Sequence, residues 1–180
     1  MPRQTLARGL DLQIGQHCRI LVLGSMPGTV SLRAAEYYAH PRNLFWDCVE
    51  TAFGIDQELP YRVRISGLHG VNVGLWDVLT NCSRHASSDT TIRDAQCNDF
   101  VQLFKTQPQI NRICLNGSAA FNHWQRLVMP SFSDAGANTN LGANTNLGEI
   151  EIIRLPSTSP ANAAMARAVK MKAWCAALTR

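Results

Sequence analysis

Four short apolar runs rich in branched side chains set the strongest limit on how this chain can fold. They occupy residues 19–23, 71–75, 110–115 and 150–155. Each has the length and composition of a buried β-strand. Apolar residues with helical spacing predict helices over 45–52, 97–104, 118–128 and 164–178. Because strands that alternate with helices form a parallel sheet covered on both faces, we predict an αβα sandwich of the α/β class.

The composition is that of one globular domain. The chain has 180 residues, of which 46% are hydrophobic and 17% charged, so intrinsic disorder is excluded. We therefore expect a single domain over residues 1–180 that acts as a monomer. No apolar run approaches the ~20 residues of a membrane span, and the first residues lack the apolar segment of a signal peptide. These features predict a soluble cytoplasmic protein that is not exported.

Cysteine spacing and net charge limit the kinds of site. The six cysteines include no C-x-x-C pair, which argues against zinc and iron–sulfur centres. A net charge of +4 permits a polyanionic partner without requiring one.

The loops that leave the strands are the places to look for a site. In parallel sheets, ligands bind at the carboxyl ends of the strands. The corresponding loops are residues 24–43, 76–94, 116–118 and 156–162. The first is unusually long for a strand-to-helix connection, and long ordered loops are often functional.

Three motifs lie in these loops. Residues 24–28 read GSMPG, a turn whose backbone N–H groups could approach a ligand, although an ordinary strand-exit turn has the same composition. Residues 37–46 read YYAHPRNLFW, in which Asn43 either caps the next helix or positions a water or substrate oxygen. Residues 155–162 read LPSTSPAN, which suits either a phosphate or a helix cap.

One further segment is a direct repeat. The hexapeptide ANTNLG occupies residues 137–142 and again 143–148. Two polar copies are too few for a solenoid, so we interpret 137–148 as a duplicated surface loop without a chemical role.

In this order, the three motifs resemble the uracil-DNA glycosylase superfamily, and most closely its hypoxanthine-DNA glycosylase branch. The resemblance covers about residues 19–162 and includes GLWDVL at 74–79 and NCSR at 81–84. It implies an αβα sandwich with a four-stranded parallel sheet. It also implies a repair enzyme that flips a deaminated base out of damaged DNA and hydrolyses its N-glycosidic bond without a metal or cofactor.

The resemblance also implies roles for individual residues. Most superfamily members place a water-orienting Asp or Asn where this chain has Met26, and many open the last motif with His or Asn where it has Leu155. In the hypoxanthine branch the Asn of HPRN is the main catalytic residue, which is Asn43 here. The implied base-binding residues are Ser25, Met26, Pro27, Gly28, Tyr38, Asp77 and Asn116, with Tyr38 as the stacking platform. The implied DNA-binding residues are Arg42, Arg84, Ser157, Thr158 and Ser159.

Several alternatives stay open from the sequence. Asp77 could contact a base edge or cap the following turn, and Asn116 could line the pocket or occupy a left-handed turn. The two arginines could bind phosphate or only water. His40 is better explained as a hydrogen-bonded scaffold residue than as a general base. The wedge position corresponds to Ser159.

Hypoxanthine is the expected substrate, with uracil as a second one. A uracil or mismatch-specific glycosylase is the alternative within the same class. A DNA-binding protein of this fold with little or no catalysis is the alternative from another class.

Overall fold

A computed structural model describes residues 5–84, 88–133 and 149–179. The strands in chain order are β1 (Thr5–Arg8), β2 (Ile20–Gly24), β3 (Val73–Asp77), β4 (Leu79–Arg84), β5 (Arg93–Cys97), β6 (Arg112–Asn116) and β7 (Glu151–Leu155). The helices are α1 (Thr29–Ala34), α2 (Phe45–Phe53), α3 (Tyr61–Gly70), α4 (Phe100–Thr106), α5 (Gly117–His123), α6 (Met129–Ser133) and α7 (Arg167–Thr179). A 3-10 turn covers Asp89–Thr91, and a π-helical turn over Trp124–Val128 joins α5 to α6.

The four predicted strands form one parallel sheet in the order β3-β2-β6-β7. Alternate residues of β2 enter different cores. Leu21 and Leu23 belong to a cluster with residues of α4 and α5, whereas Ile20 and Val22 belong to a cluster with residues of α2, α3 and α7. The sheet is therefore covered on both faces, which confirms the αβα sandwich.

A second, antiparallel sheet was missed in the sequence. Its order is β1-β4-β5, and it occupies much of the 76–94 stretch that we expected to be a loop. That expectation was wrong because these strands are polar and short, and β4 continues from β3 after the single residue Val78. The predicted helix over 97–104 begins only at Phe100, since Asp99 accepts the Gln102 N–H and caps it.

Helices α1 and α3 were also not predicted, and α7 begins three residues later than expected. The ANTNLG repeat lies outside the described residues. None of the helices in the described ranges is long and apolar enough to cross a membrane.

The register of the parallel sheet brings the strand ends together. Gly24 at the end of β2 pairs with Asp77 at the end of β3. Asn116 at the end of β6 pairs with Leu155 at the end of β7. The loops that follow these residues therefore begin side by side at one edge of the sheet, where the three motifs meet.

Gly117 allows one of these loops to pack closely, and this generates a stability prediction. Gly117 has φ +89°, and a Cβ there would lie 2.8 Å from the Ser157 Cβ. Gly54 also has positive φ, but nothing lies within 4 Å of its Cβ position. We expect Gly54→Ala to cost about 1–2 kcal/mol of backbone strain. Gly117→Ala should cost about 2–5 kcal/mol, because crowding adds to the strain.

Urea unfolding of both variants measures these losses, with m-values as the check on two-state behaviour. Equal losses in the two variants would show that the contact with Ser157 carries no energy.

Candidate functional site

A cavity of about 450 Å³ opens at the carboxyl edge of the parallel sheet. It is formed by the loop after β2, the start of α1, the segment between α1 and α2, the ends of β3 and β6, and the loop after β7. The predicted site residues that line it are Ser25, Met26, Pro27, Gly28, Tyr38, Asn43, Asp77, Asn116, Ser157, Thr158 and Ser159. The lining residues absent from the predicted set are Gly24, Thr29, Val30, Ser31, Tyr37, His40, Pro160 and Ala161. Each of these lies within three positions of a predicted residue in the sequence, so continuity along the chain was the signal that could have found them.

Asp77 is the buried carboxyl of the cavity. The residue is 2% exposed, and its Oδ2 has no hydrogen-bond partner in the part of the chain that the structure describes. Burial raises the pKa of this carboxyl to about 8. The nearby Tyr37 hydroxyl and the Arg84 guanidinium lower the pKa, and the Asp89 charge raises it, but burial has the largest effect.

Tyr38 forms an aromatic wall. Its backbone is left-handed, with φ +58°, and its ring packs on Phe45 with the centroids 4.1 Å apart and the planes 31° from parallel. Phe45 is itself fully buried against Trp46 and Trp174. The Tyr38 hydroxyl is buried, and no hydrogen-bond partner for it exists among the described residues. Burial raises its pKa, so the hydroxyl stays protonated at neutral pH.

Asn43 stands at the start of α2. Its Oδ1 accepts the Phe45 N–H at 3.0 Å, so the carboxamide caps the first turn although Leu44 is the N-cap residue. The same side chain lines the cavity. Behind it, the Asn43 N–H donates to the His40 carbonyl, and His40 Nδ1 accepts the Arg42 N–H. Capping and a place in the cavity are therefore compatible for Asn43.

Asn116 and Thr158 clamp two loops together. Asn116 Nδ2 donates to Thr158 Oγ1, and the Thr158 N–H donates to Asn116 Oδ1, both at 2.9 Å. Thr158 is fully buried, and its carbonyl accepts the Leu44 N–H. Thr158 therefore uses its N–H, its carbonyl and an acceptor position of its hydroxyl inside the protein, and its contact with DNA stays a prediction. A left-handed turn at Asn116 is also wrong, since its φ is −76° and Gly117 takes the positive φ.

Arg84 lies under the GSMPG loop and not on the surface. It is 2% exposed, and its Nη2 donates to the Pro27 carbonyl. On the same side of the loop, Ser25 Oγ donates to Asp89 Oδ1 at 2.9 Å. The expected phosphate contact of Arg84 is therefore wrong: a buried guanidinium that holds a loop carbonyl cannot meet a DNA backbone at the surface. Met26 is also buried and belongs to the hydrophobic core, although it borders the cavity.

Arg42, Ser157 and Ser159 lie at or near the rim of the cavity, and their contacts with DNA stay predictions. Arg42 is exposed and borders a smaller cavity of about 180 Å³ that shares Thr158, Ser159 and Pro160 with the main one. Ser157 Oγ accepts the Ser159 N–H, and Ser159 Oγ accepts the Ala161 N–H. These bonds shape the loop at the rim of the cavity.

The family model for the Uracil DNA glycosylase superfamily matches residues 13–178. The chain belongs to this superfamily. Two curated relatives carry the name Hypoxanthine DNA glycosylase. The one from Methanosarcina acetivorans is 34% identical over 72% of this chain and 88% of its own length. The one from Methanosarcina barkeri is 37% identical over 61% of this chain and 70% of its own length.

A solved structure supports the same assignment. A solution NMR structure of a candidate uracil DNA glycosylase from Methanosarcina acetivorans superimposes with a TM-score of 0.77 at 31% identity. The match covers 97% of this chain and 98% of the other. The superfamily resemblance and its hypoxanthine branch are thereby confirmed.

The packing of Tyr38 predicts how its ring and hydroxyl contribute to stability. Tyr38→Phe should leave the free energy of unfolding within about 0.5 kcal/mol, because it removes a buried hydroxyl without a partner. Tyr38→Ala should cost about 2–4 kcal/mol through the lost packing on Phe45. Urea unfolding of the two variants provides the measurement. A Tyr38→Phe loss well above 1 kcal/mol would reveal that the hydroxyl has a partner in solution.

Proposed function

We propose that this chain is a monofunctional DNA glycosylase that flips a deaminated base out of DNA and releases hypoxanthine from deoxyinosine. Membership of the superfamily and the names of the two curated relatives support this activity. The observation that carries the proposal is the single cavity that holds Asn43, Tyr38 and Asp77 together at the carboxyl edge of the sheet. Its volume of about 450 Å³ is within the range of small-molecule sites.

Hydrolysis of the N-glycosidic bond needs few catalytic groups. When the N-glycosidic bond breaks, positive charge develops on the sugar and negative charge on the departing base. A water then adds its oxygen to the sugar carbon, and its proton neutralises the base. Asn43 is the residue that we assign to water placement, because its carboxamide is fixed by the cap bond at the cavity wall.

Other residues would bind the substrate. The Tyr38 ring offers a stacking surface for the flipped base, and the backbone of residues 25–28 faces the same cavity. Asn116 reaches the cavity while its amide is engaged with Thr158. For the DNA backbone, Ser157, Ser159 and Arg42 are the side chains that remain at the rim.

Uracil is a second candidate substrate, because the superfamily is named for uracil excision. A release assay across duplex and single-stranded oligonucleotides with hypoxanthine, uracil, xanthine or a thymine mismatch tests both substrates. Release of hypoxanthine is the expected result, and release of none of these bases would leave only a DNA-binding protein. We also propose that residues 1–180 form one domain that acts as a monomer on chromosomal DNA in the cytoplasm.

Asn43 variants separate catalysis from capping. Asn43→Ala should lower the single-turnover rate a few hundredfold, since a positioned hydrogen-bonding group in a dry site supplies about 3–4 kcal/mol. Loss of the cap bond to Phe45 costs only about 1 kcal/mol of stability. Asn43→Asp is the matched control, because a carboxylate also caps a helix and orients water, and it should keep the stability while changing the pH dependence.

Melting temperatures and single-turnover rates on deoxyinosine DNA decide between the two roles. If a folded Asn43→Ala variant releases the base as fast as the parent, Asn43 only caps the helix and has no catalytic role.

The two arginines predict different salt dependences of DNA binding. Arg42→Ala should reduce the slope of log affinity against log salt by about 1, as expected for one lost phosphate contact. Arg84→Met should leave this slope unchanged and lower stability, because Arg84 is buried under the Pro27 carbonyl. Titration of inosine-containing duplex at several salt concentrations measures both slopes. A reduced slope in Arg84→Met at unchanged stability would show that Arg84 contacts a DNA phosphate at the surface.

A further inference from the structure

The position of the buried Asp77 carboxyl suits contact with a ligand better than it suits stabilisation of the fold. Asp77 ends β3, lines the cavity and is 2% exposed. Its Oδ2 is buried and has no hydrogen-bond partner among residues 5–84, 88–133 and 149–179. A buried polar atom without a hydrogen bond lowers the stability of the fold. Its position in the cavity indicates that a bound ligand supplies the missing hydrogen bond.

Neighbouring residues leave room for this carboxyl. Gly24 pairs with Asp77 across the sheet, and a Cβ at Gly24 would lie 2.7 Å from Asp77 Oδ1. The Tyr38 hydroxyl lies 3.7 Å from the same Cβ position and is likewise without a partner in the described chain. The missing side chain at Gly24 therefore leaves the space in which the Asp77 carboxyl and the Tyr38 hydroxyl lie.

The electrostatic surroundings favour the neutral form of the carboxyl. The groups that influence it are the Tyr37 hydroxyl from the long loop after β2, Arg84 from β4 and Asp89 from the 3-10 turn. The hydroxyls of Tyr38 and of Tyr61 on α3 are also close enough to interact with it, and His40 lines the same cavity. Arg84 and Tyr37 favour ionisation, but burial outweighs them and raises the pKa to about 8. At neutral pH the carboxyl is therefore mostly protonated.

We propose that Asp77 contacts the flipped base as a neutral carboxylic acid and donates a hydrogen bond to a carbonyl oxygen of the base. This inference rests on the proposed glycosylase function. Hypoxanthine and uracil both present an N–H donor beside a C=O acceptor. A neutral carboxyl matches this edge with one donor and one acceptor, whereas a carboxylate has only acceptors and repels the carbonyl.

The hydrogen bond donated by Asp77 also favours cleavage of the N-glycosidic bond. As the glycosidic bond breaks, negative charge spreads over the base and onto its carbonyl oxygen. A donated hydrogen bond from Asp77 stabilises this charge, and an ionised Asp77 opposes it in a site of low dielectric. Base release should therefore slow as the pH rises through the pKa of Asp77.

The Asp77→Asn variant isolates this effect. An amide keeps one donor and one acceptor in nearly the same shape but does not titrate. Single-turnover release of hypoxanthine from deoxyinosine DNA is measured for parent and variant from about pH 5 to about pH 10. We expect the parent rate to fall about tenfold per pH unit above about pH 8, and Asp77→Asn to lack this fall.

Asp89→Asn is the second variant, because Asp89 does not line the cavity but its charge raises the pKa of Asp77, so the fall should persist and move to a lower pH. The proposal is overturned if parent and Asp77→Asn lose activity over the same pH range, or if the parent rate does not fall.

A second measurement needs no catalytic turnover. In protein labelled with carbon-13 at the aspartate carboxyls, the resonance that is missing from Asp77→Asn should titrate with a midpoint near pH 8. Free hypoxanthine in excess should shift this resonance and raise its midpoint, because the base binds the protonated form. A midpoint near pH 4, or no response to the base, overturns the proposal. If the resonance behaves as expected while neither protein releases any base, the proposed glycosylase function fails and the carboxyl assignment stands.

Discussion

Two hydrogen bonds between Asn116 and Thr158 hold the site together. They join the end of β6 to the loop after β7 through both atoms of one carboxamide. The Thr158 carbonyl in turn accepts the Leu44 N–H at the start of α2. The position of Asn43 and the packing of Phe45 against Tyr38 follow from that anchor. One polar side chain at a strand end thus connects two of the three motifs that line the cavity, those at 37–46 and 155–162.

Hydrogen bonds hold the loop around the cavity in place, whereas two buried polar atoms inside the cavity have no hydrogen-bond partner among the described residues. Arg84 and Asp89 fix the GSMPG loop from outside, through the Pro27 carbonyl and the Ser25 hydroxyl. On the inside, Asp77 Oδ2 and the Tyr38 hydroxyl have no partner within the described ranges. Buried polar atoms without partners reduce stability, and such costs concentrate where a ligand later completes the bonding. The arrangement is that of a preformed binding site in which the free polar groups are left to bind the substrate.

Two positions that carry polar groups in most of the superfamily belong to the core here. Met26 packs into the cluster that includes α4 and α5, and Leu155 into the cluster that includes α2 and α7. Both are buried, so neither side chain can orient water or contact a leaving base through a polar atom. We therefore propose that the chemistry depends on Asn43 at the start of α2 and on Asp77 at the end of β3.

The sequence by itself determined the parallel sheet, most of its helices and the position of the site. Strands buried on both faces must be continuous apolar runs, so they are visible without knowledge of their partners. Their connecting loops must then emerge at one edge, and this is why most predicted site residues line one cavity. Local chemistry was sufficient for these features.

Only the tertiary structure decided the antiparallel sheet, the burial of Arg84 and Thr158, and the raised pKa of Asp77. The strands β1, β4 and β5 are short and partly polar, so their pairing depends on neighbours distant in the chain. An arginine is expected at the surface unless a carbonyl such as that of Pro27 is brought to it. The pKa of Asp77 is raised by burial, and burial is a property of everything packed around a residue rather than of the residue itself.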